Sequence, residues 1–395
     1  MENYDVLVRG SGIVGKSLAL SLASQGLRIA LLADAKEPQT ADIRAFAMNA
    51  ASVALLRSLK VWDALPAAAM TAVHDMHIEG DASAGSGLGS NSNSSAGSLD
   101  FSAWSQRRSE LAWIVDAAVL EQELSNAVKF APHITQVPTD VSATLTALCE
   151  GRSSAARDAL GVVFEKNDYG HSAIAARLTC SLGHRHTARQ WFRSPDVLAL
   201  LPFGGASAAT AATSQIGPGG PAAPASYALV WSLPQAQAQA LMALDPNAFN
   251  AALMQATQGA AGELHLISER ASWPLMRAHA SAWCGPGWVL LGDAAHVIHP
   301  LAGQGLNLGL NDVAALTKVL LEREAWRPLS DEKLLRRYAR LRVVPAQLMG
   351  QLTEGLLQLF AAEQPAVREL RNRGMSLVNQ LSPVKRWLTS RALES

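Results

Sequence analysis

Apolar and polar positions along the 395-residue chain fall into three successive patterns. The first begins with a dense apolar run from Tyr4 to Val8. A glycine turn follows, and then Ile13 to Gln25, which reads as a helix stopped by Gly26. A second dense run covers Arg28 to Leu32. Short dense runs suit strands buried on both faces, so this order predicts a strand, a crossover helix and a parallel strand. Ala51 to Leu59 and Val119 to Val128 read as further helices. The second pattern is "IAARL", "HTARQWF", "VLALLPF" and "YALVWSL", between residues 174 and 233. These read as strands joined mostly by turns, and they predict a second region built around a sheet. The third pattern starts at Leu306, where the chain becomes mainly helical. Leu306, Leu310, Val313, Leu316 and Leu320 recur at helical spacing and predict an apolar stripe.

Two stretches interrupt these patterns. Residues 81–98, "DASAGSGLGSNSNSSAGS", are small and polar, and residues 204–226 are rich in Gly, Ala, Pro and Ser. Neither buries enough apolar surface to offset chain entropy, so both read as surface insertions without direct chemistry.

Composition narrows the function. The 33 basic and 33 acidic residues cancel, which gives no support for binding nucleic acid through net charge. Cys149, Cys180 and Cys284 lie far apart and form no metal-ligand spacing, as expected of scattered thiols in a reducing compartment. No signal-like segment is evident, and no uninterrupted apolar stretch is long enough for a bilayer span. The expectation is a cytoplasmic protein, with peripheral contact at the inner face of the membrane left open.

Two glycine motifs carry the chemistry. "GSGIVG", Gly10 to Gly15, follows the first strand and opens the first helix. In such a turn Gly10 permits the tight bend and Gly12 lets a pyrophosphate approach the backbone. Gly15 lets the helix pack on the strand, and Ile13 and Val14 supply the first helical N–H groups. The plain alternative is an ordinary glycine turn. The acid expected after the second strand falls on Ala33, with Asp34 beside it. Arg9 ends the first strand, where an apolar residue is usual. It reaches a phosphate, pairs with Asp34, or extends to solvent.

The second motif lies in "LLGDAAHVIHPLAGQGLNLGLND", Leu290 to Asp312. An apolar run stops at Gly292-Asp293, and Gly303-Gln304-Gly305 then leads into the helical pattern. A helix N-terminus preceded by glycines favours negative charge. His296 and His299 lie three apart, but no third ligand is evident nearby, so no metal is expected.

With "DIRAFAMNAASVALLRSLKVWDAL", "LAWIVDAAVLEQEL", "ERASWPL" and "RNRGM", these motifs resemble the class A flavin monooxygenases of the p-hydroxybenzoate hydroxylase-like fold. Within that group the resemblance is to the ubiquinone-biosynthesis flavin hydroxylases. It covers nearly the whole chain outside the two insertions. It implies an α/β fold in which a Rossmann-like FAD-binding domain is interleaved with a β-sheet substrate domain and followed by a helical C-terminus. The implied FAD-binding domain takes residues 1–80, 99–165 and 277–330, and the substrate domain takes 166–276. The C-terminal helices take 331–395.

The resemblance further implies that Asp293 hydrogen-bonds the ribityl chain of FAD beside Gly292, and that Pro300 lines the flavin ring. Gly303, Gln304, Gly305, Leu306 and Asn307 aim backbone N–H groups at the pyrimidine end, where reduced flavin is negative. Arg44 lies along the adenosine and pyrophosphate, with a surface ion pair to Asp42 as the alternative, and Asp116 faces the same cofactor. His296 and His299 shape the flavin turn. The implied reaction adds one oxygen atom of O₂ to a polyprenyl phenol through a C4a-hydroperoxyflavin. The flavin performs the chemistry, so no catalytic side chain is required. The external reductant is NADH, NADPH or an electron carrier. No Cys or His stands where a covalent flavin link would form.

The chain departs from that family at three places: Ala33 replaces an acid, Glu150-Gly151 replaces Asp-Gly, and residues 132–148 are fewer than usual. These departures keep a second reading open, a non-catalytic or weakly FAD-binding scaffold among other ubiquinone-biosynthesis proteins. Residues 356–393 combine apolar positions with bases, which suits an anionic membrane surface or packing on the body.

Overall fold

The strand Tyr4–Arg9 buries Val6, Leu7 and Val8, and it lies inside a six-stranded sheet. The computed structural model describes residues 4–32, 42–80, 97–204, 226–299, 303–361 and 364. Ala33, Asp34, Pro300, nearly all of the two insertions and the carboxy-terminal segment lie outside them. In spatial order the sheet runs Cys284–Gly285, Trp288–Leu290, Ala143–Leu148, Tyr4–Arg9, Ile29–Leu32 and Ile134–Val137. All neighbours are parallel except the short pair Cys284–Gly285 and Trp288–Leu290. Parallel strands covered on both faces need continuous apolar runs, and the sequence supplies them. Tyr4–Arg9 pairs with Ile29–Leu32 on one side and Ala143–Leu148 on the other. Strand order therefore reverses at this strand, and the crevice beyond its carboxyl end is where α/β sheets bind ligands. The few residues from 132 to 148 still carry two strands of this sheet.

A second, larger sheet runs His296–Val297, Ala271–Ala280, Phe164–Cys180, Ser226–Pro234, Asp196–Phe203, Thr187–Arg193, Asp75–Glu79 and Ser98–Ser102. One face forms a core with helix Pro246–Thr257, where Trp191, Leu229 and Trp231 pack with Phe249 and Leu253. By alternation, Ser232 points to the opposite face.

Asp75–Glu79 and Ser98–Ser102, expected partly within the FAD-binding segments 1–80 and 99–165, pair with this large sheet instead. Ile78 and Leu99 pack there against Phe192 and Val197. A third sheet has three strands, Ala45–Met48, Ala112–Asp116 and Met70–Val73.

Helix Ile13–Ala23 ends two residues before the expected Gln25, and Gly26 turns the chain at φ 83°. Helix Ala50–Ser58 is capped by Asn49, which accepts from Ser52 N. Helix Gln304–Leu321 buries Leu310, Val313, Leu316 and Leu320, as the stripe predicted, but Leu306 only in part. The long helix Glu332–Ala361 follows it and packs against it.

Candidate functional site

The glycine turn closes against the end of strand Ala143–Leu148. Gly10 has φ 104°, and a Cβ there would lie 2.4 Å from the Cys149 carbonyl oxygen. A Cβ on Gly15 would lie 1.9 Å from the Gly10 carbonyl oxygen. Both positions admit only glycine. A Cβ on Gly12 would meet nothing within 4 Å, so this part of the turn leaves open space beside the backbone.

The two motifs, almost 300 residues apart, meet at Val14. Gly292 has φ 58°, and a Cβ there would come within 3.2 Å of Val14 Cγ2. A Cβ on Gly309 would lie 2.8 Å from the same methyl and 3.4 Å from Gly292 Cα. Two glycines packed on one valine thus let the first helix, the end of strand Trp288–Leu290 and helix Gln304–Leu321 converge at one point.

Asp293 stands at this junction and makes no hydrogen bond among the described residues. Solvent reaches it, yet the surrounding protein pushes its carboxyl above the usual carboxylate range. His296, Arg44 and Arg152 oppose that shift, and Asp312 adds to it. A solvent-facing, partnerless acid set among cations suits a polar ligand that supplies hydroxyl donors.

At the start of helix Gln304–Leu321, Gly303 adopts φ 67° and lies against Ala47. Gly305 has open space where a Cβ would sit, and Gln304 Oε1 is buried without a partner. No acidic residue occupies the first turn, so its positive end is unneutralised locally. Asn307 is fully buried. Its Oδ1 accepts from Asn49 N at 3.1 Å and from Ser52 Oγ at 2.7 Å, and its Nδ2 donates to Ala47 O at 2.8 Å. Its side chain therefore ties this helix to the segment 47–52.

Several other candidates hold structural positions. Arg44 grips Asp42 through Nε and Nη2, the ion pair that stood as the alternative, and Asp293 also bears on its charge. Asp116 is buried. Its Oδ1 caps helix Ala117–Phe130 by accepting from Ala118 N and Val119 N, and its Oδ2 accepts from Arg177 at 3.3 Å. Arg9 bonds Glu150 at 2.9 Å and Asp140 at 2.5 Å, two partners that sequence reading did not consider. Glu150 also accepts from Ser154 Oγ at 2.6 Å. Burial would raise its carboxyl, but Ser154 and Arg9 together hold it below the usual range.

Sequence reading missed a buried network centred on Asp312. Asp312, fully buried, accepts from Gly292 N at 2.9 Å, His296 Nε2 at 2.7 Å and Arg342 Nε at 2.7 Å. The His296 ring also stacks on Trp283, with centroids 4.9 Å apart. His296 is therefore a brace beneath the Gly292-Asp293 turn. One signal was available: Asp312 lies four residues after Leu308 on the buried side of the helix.

His299 is 2% exposed, and burial depresses its pKa to about 4, so it is neutral near pH 7. Its Nε2 lies 3.3 Å from Ser232 Oγ, and its ring meets the edge of Tyr169. It therefore joins the turn to the inner face of the large sheet.

The pattern of the FAD binding domain family matches this chain over residues 3–352. The chain belongs to that family. Gly12 and Gly305 leave open space beside the backbone, and Gln304 Oε1 and Asp293 have no partner among the described residues, so the residues present fit a polar cofactor such as FAD.

Among relatives of this FAD-binding chain, 3-demethoxyubiquinol 3-hydroxylase of Escherichia coli strain K12 is 28% identical over 419 residues, covering 98% of each chain. Ubiquinone hydroxylase UbiL of Rhodospirillum rubrum is 27% identical, covering 98% of this chain and 89% of its own. The fold resembles the crystal structure of PqsL from P. aeruginosa in complex with 2-aminobenzoylacetate. That match has a TM-score of 0.72 at 17% identity, over 93% of this chain and 99% of that one.

Proposed function

We propose that this FAD-binding chain is a monooxygenase that hydroxylates the aromatic ring of a polyprenylated phenol on the route to ubiquinone. The observation that carries the reading is the convergence at Val14, Gly292 and Gly309, which brings both glycine motifs into one site. The names of the two relatives support the reaction class and the substrate.

We assign residue roles within that reading. The turn Gly10–Gly15, with the N–H groups of Ile13 and Val14, holds the pyrophosphate. Asp293 accepts from the ribityl hydroxyls, and Arg44 lies along the adenosine side. The N-terminus of helix Gln304–Leu321 stabilises negative charge on the ring. Gly292 and Asn307 act as supports, the first through Asp312 and the second through Ala47 and Asn49. Asp116 acts as a helix cap, and this role replaces the cofactor contact expected of it. Asp34 and Pro300 lie outside the described residues, and their roles remain those the resemblance implies. FAD, when bound, supplies the redox and oxygen chemistry. The protein's part is to orient the phenol and exclude water, with O₂ and an external reductant as co-substrates.

The scaffold reading loses one support. Glu150, which departs from the family's Asp-Gly, has its own partners in Arg9 and Ser154. The division into an FAD-binding unit and a sheet-based substrate unit also belongs to this proposal, with strands Asp75–Glu79 and Ser98–Ser102 assigned to the latter. Contact with a membrane surface is proposed for the carboxy-terminal region. Among the described residues no helix is long and apolar enough to cross a bilayer.

The test is complementation of bacterial strains each lacking one ubiquinone ring hydroxylase, with quinone intermediates quantified. Restored ubiquinone in one strain supports the proposal and identifies the ring position. Failure in every strain, with FAD-loaded protein present, contradicts it.

A further inference from the structure

The large sheet has an open patch on the face that carries Ser232. Residues paired directly across neighbouring strands share a face. On this face Ala175, Val230, Ala199 and Gln190 stand in one line, each paired with the next. The line crosses the middle of the sheet, yet solvent still reaches Val230 and Ala199. To one side lies Ser232, which meets His299. To the other side lie Ala228 and its pair Leu201. Leu201 packs in the same cluster as Ala47, and Ala47 lies against Gly303. His299 and Gly303, both from the second glycine motif, therefore flank the cleft above this line.

Gln190 is the polar member of the line. It is 9% exposed, and its side chain has no hydrogen-bond partner among the described residues. Its neighbours across the strands, Ala199 and Ile78, are apolar. Trp191, next in sequence, turns to the opposite face and packs in the core there. A largely buried amide without a partner costs stability, so its presence calls for an explanation.

The chemistry of the patch selects its ligand. Small side chains leave room for a flat ring, and an amide offers an acceptor and donors without charge. Arg177, a cation on the same face, is already occupied by Asp116 and by the Arg44 carbonyl. A ring carrying a carboxylate would lack a counter-charge here, whereas a neutral phenol needs none.

We propose that the Gln190 carboxamide oxygen accepts a hydrogen bond from the phenolic hydroxyl of the substrate, and so sets which ring carbon faces the flavin. This assignment rests on the hydroxylase reading above. Within that reading Gln190 is a substrate contact and not a support of the fold.

The test uses the FAD-loaded full chain and two probes, a short-chain prenylphenol and the matching prenylbenzene without the hydroxyl. Binding is read from the change each probe makes in the flavin spectrum. The parent is expected to bind the phenol about tenfold more tightly, the worth of one buried hydrogen bond. Gln190→Met, close in volume, is expected to keep its FAD and to bind the two probes alike. Gln190→Leu is expected to do the same, which guards against a packing effect of either side chain. Both variants should resist denaturant at least as well as the parent, because the amide had no partner to lose. A preference for the phenol that survives in both variants would overturn the role of Gln190 and leave the hydroxylase reading standing. A marked loss of stability in both would make Gln190 a structural residue and overturn it as well. No response of the parent to either probe would contradict the hydroxylase reading, and the inference with it.

Discussion

Arg342 Nε donates to Asp312 Oδ1 at 2.7 Å, and both residues are buried. The pair joins the long helix Glu332–Ala361 to helix Gln304–Leu321. The other Asp312 oxygen holds Gly292 N and His296. One carboxylate thus fixes the turn that presents Asp293. Asp312→Asn is expected to destabilise the protein by about 3–5 kcal/mol, because Arg342 is left buried without its counter-charge. Chemical denaturation measures this. Burial pushes the Asp312 carboxyl upward, but His296 and Arg342 more than offset it and hold it below the usual carboxylate range. Its contribution is therefore complete above the ordinary carboxylate pKa and is lost as pH falls through the lower folded value. The variant should lose less stability on acidification than the parent.

Gly309→Ala should weaken FAD binding without abolishing folding. The added methyl would lie 2.8 Å from Val14 Cγ2 and 3.4 Å from Gly292 Cα. The helix must move away, and the two motifs separate. Val14→Ala removes the nearer obstacle. The double variant is expected to recover part of the affinity, a coupling that titration of the apoprotein with FAD measures.

Asp293→Ala should release FAD while the apoprotein stays as stable as its parent. The carboxylate bonds nothing among the described residues, so little of the fold depends on it. A hydrogen bond to a charged group is worth about 1.5–3 kcal/mol, roughly a tenfold to hundredfold loss of affinity. Equal flavin content after purification and dialysis would remove Asp293 from the site.

Glu150→Asp restores the family's residue but is expected to destabilise this chain. The shorter side chain would have to span to both Arg9 and Ser154, now at 2.9 and 2.6 Å. A loss of about 1–3 kcal/mol is expected, read from thermal unfolding. When Arg9→Ala is already present, Glu150→Asp should cost much less, because one of the two partners is gone.

Local patterns carried far in this chain. The first strand and helix, the large-sheet strands at 174–233 and the stripe from Leu310 to Leu320 were all legible, because periodicity reports burial directly. Both glycine motifs were legible because their conformations admit so few residues. Long-range pairings were not. Nothing near Arg9 in sequence announces Asp140 or Glu150, and nothing near Asp312 announces Arg342. The pairing of Asp75–Glu79 with Thr187–Arg193 was equally hidden, since a strand's pattern shows which face is buried but not in which sheet. Asp116 was read as a cofactor ligand, yet it stands at a position where an acid also makes a good helix cap.

Oxygen-isotope labelling distinguishes insertion of an oxygen atom from O₂ from addition of water. A complemented strain, or purified protein given reductant and a polyprenyl phenol, is supplied with ¹⁸O₂, and the product is analysed by mass spectrometry. A single labelled oxygen on the aromatic ring is expected, absent when Asp293→Ala protein is used. Product carrying unlabelled oxygen from water, or no hydroxylated product from FAD-loaded protein with its reductant consumed, would contradict the monooxygenase reading.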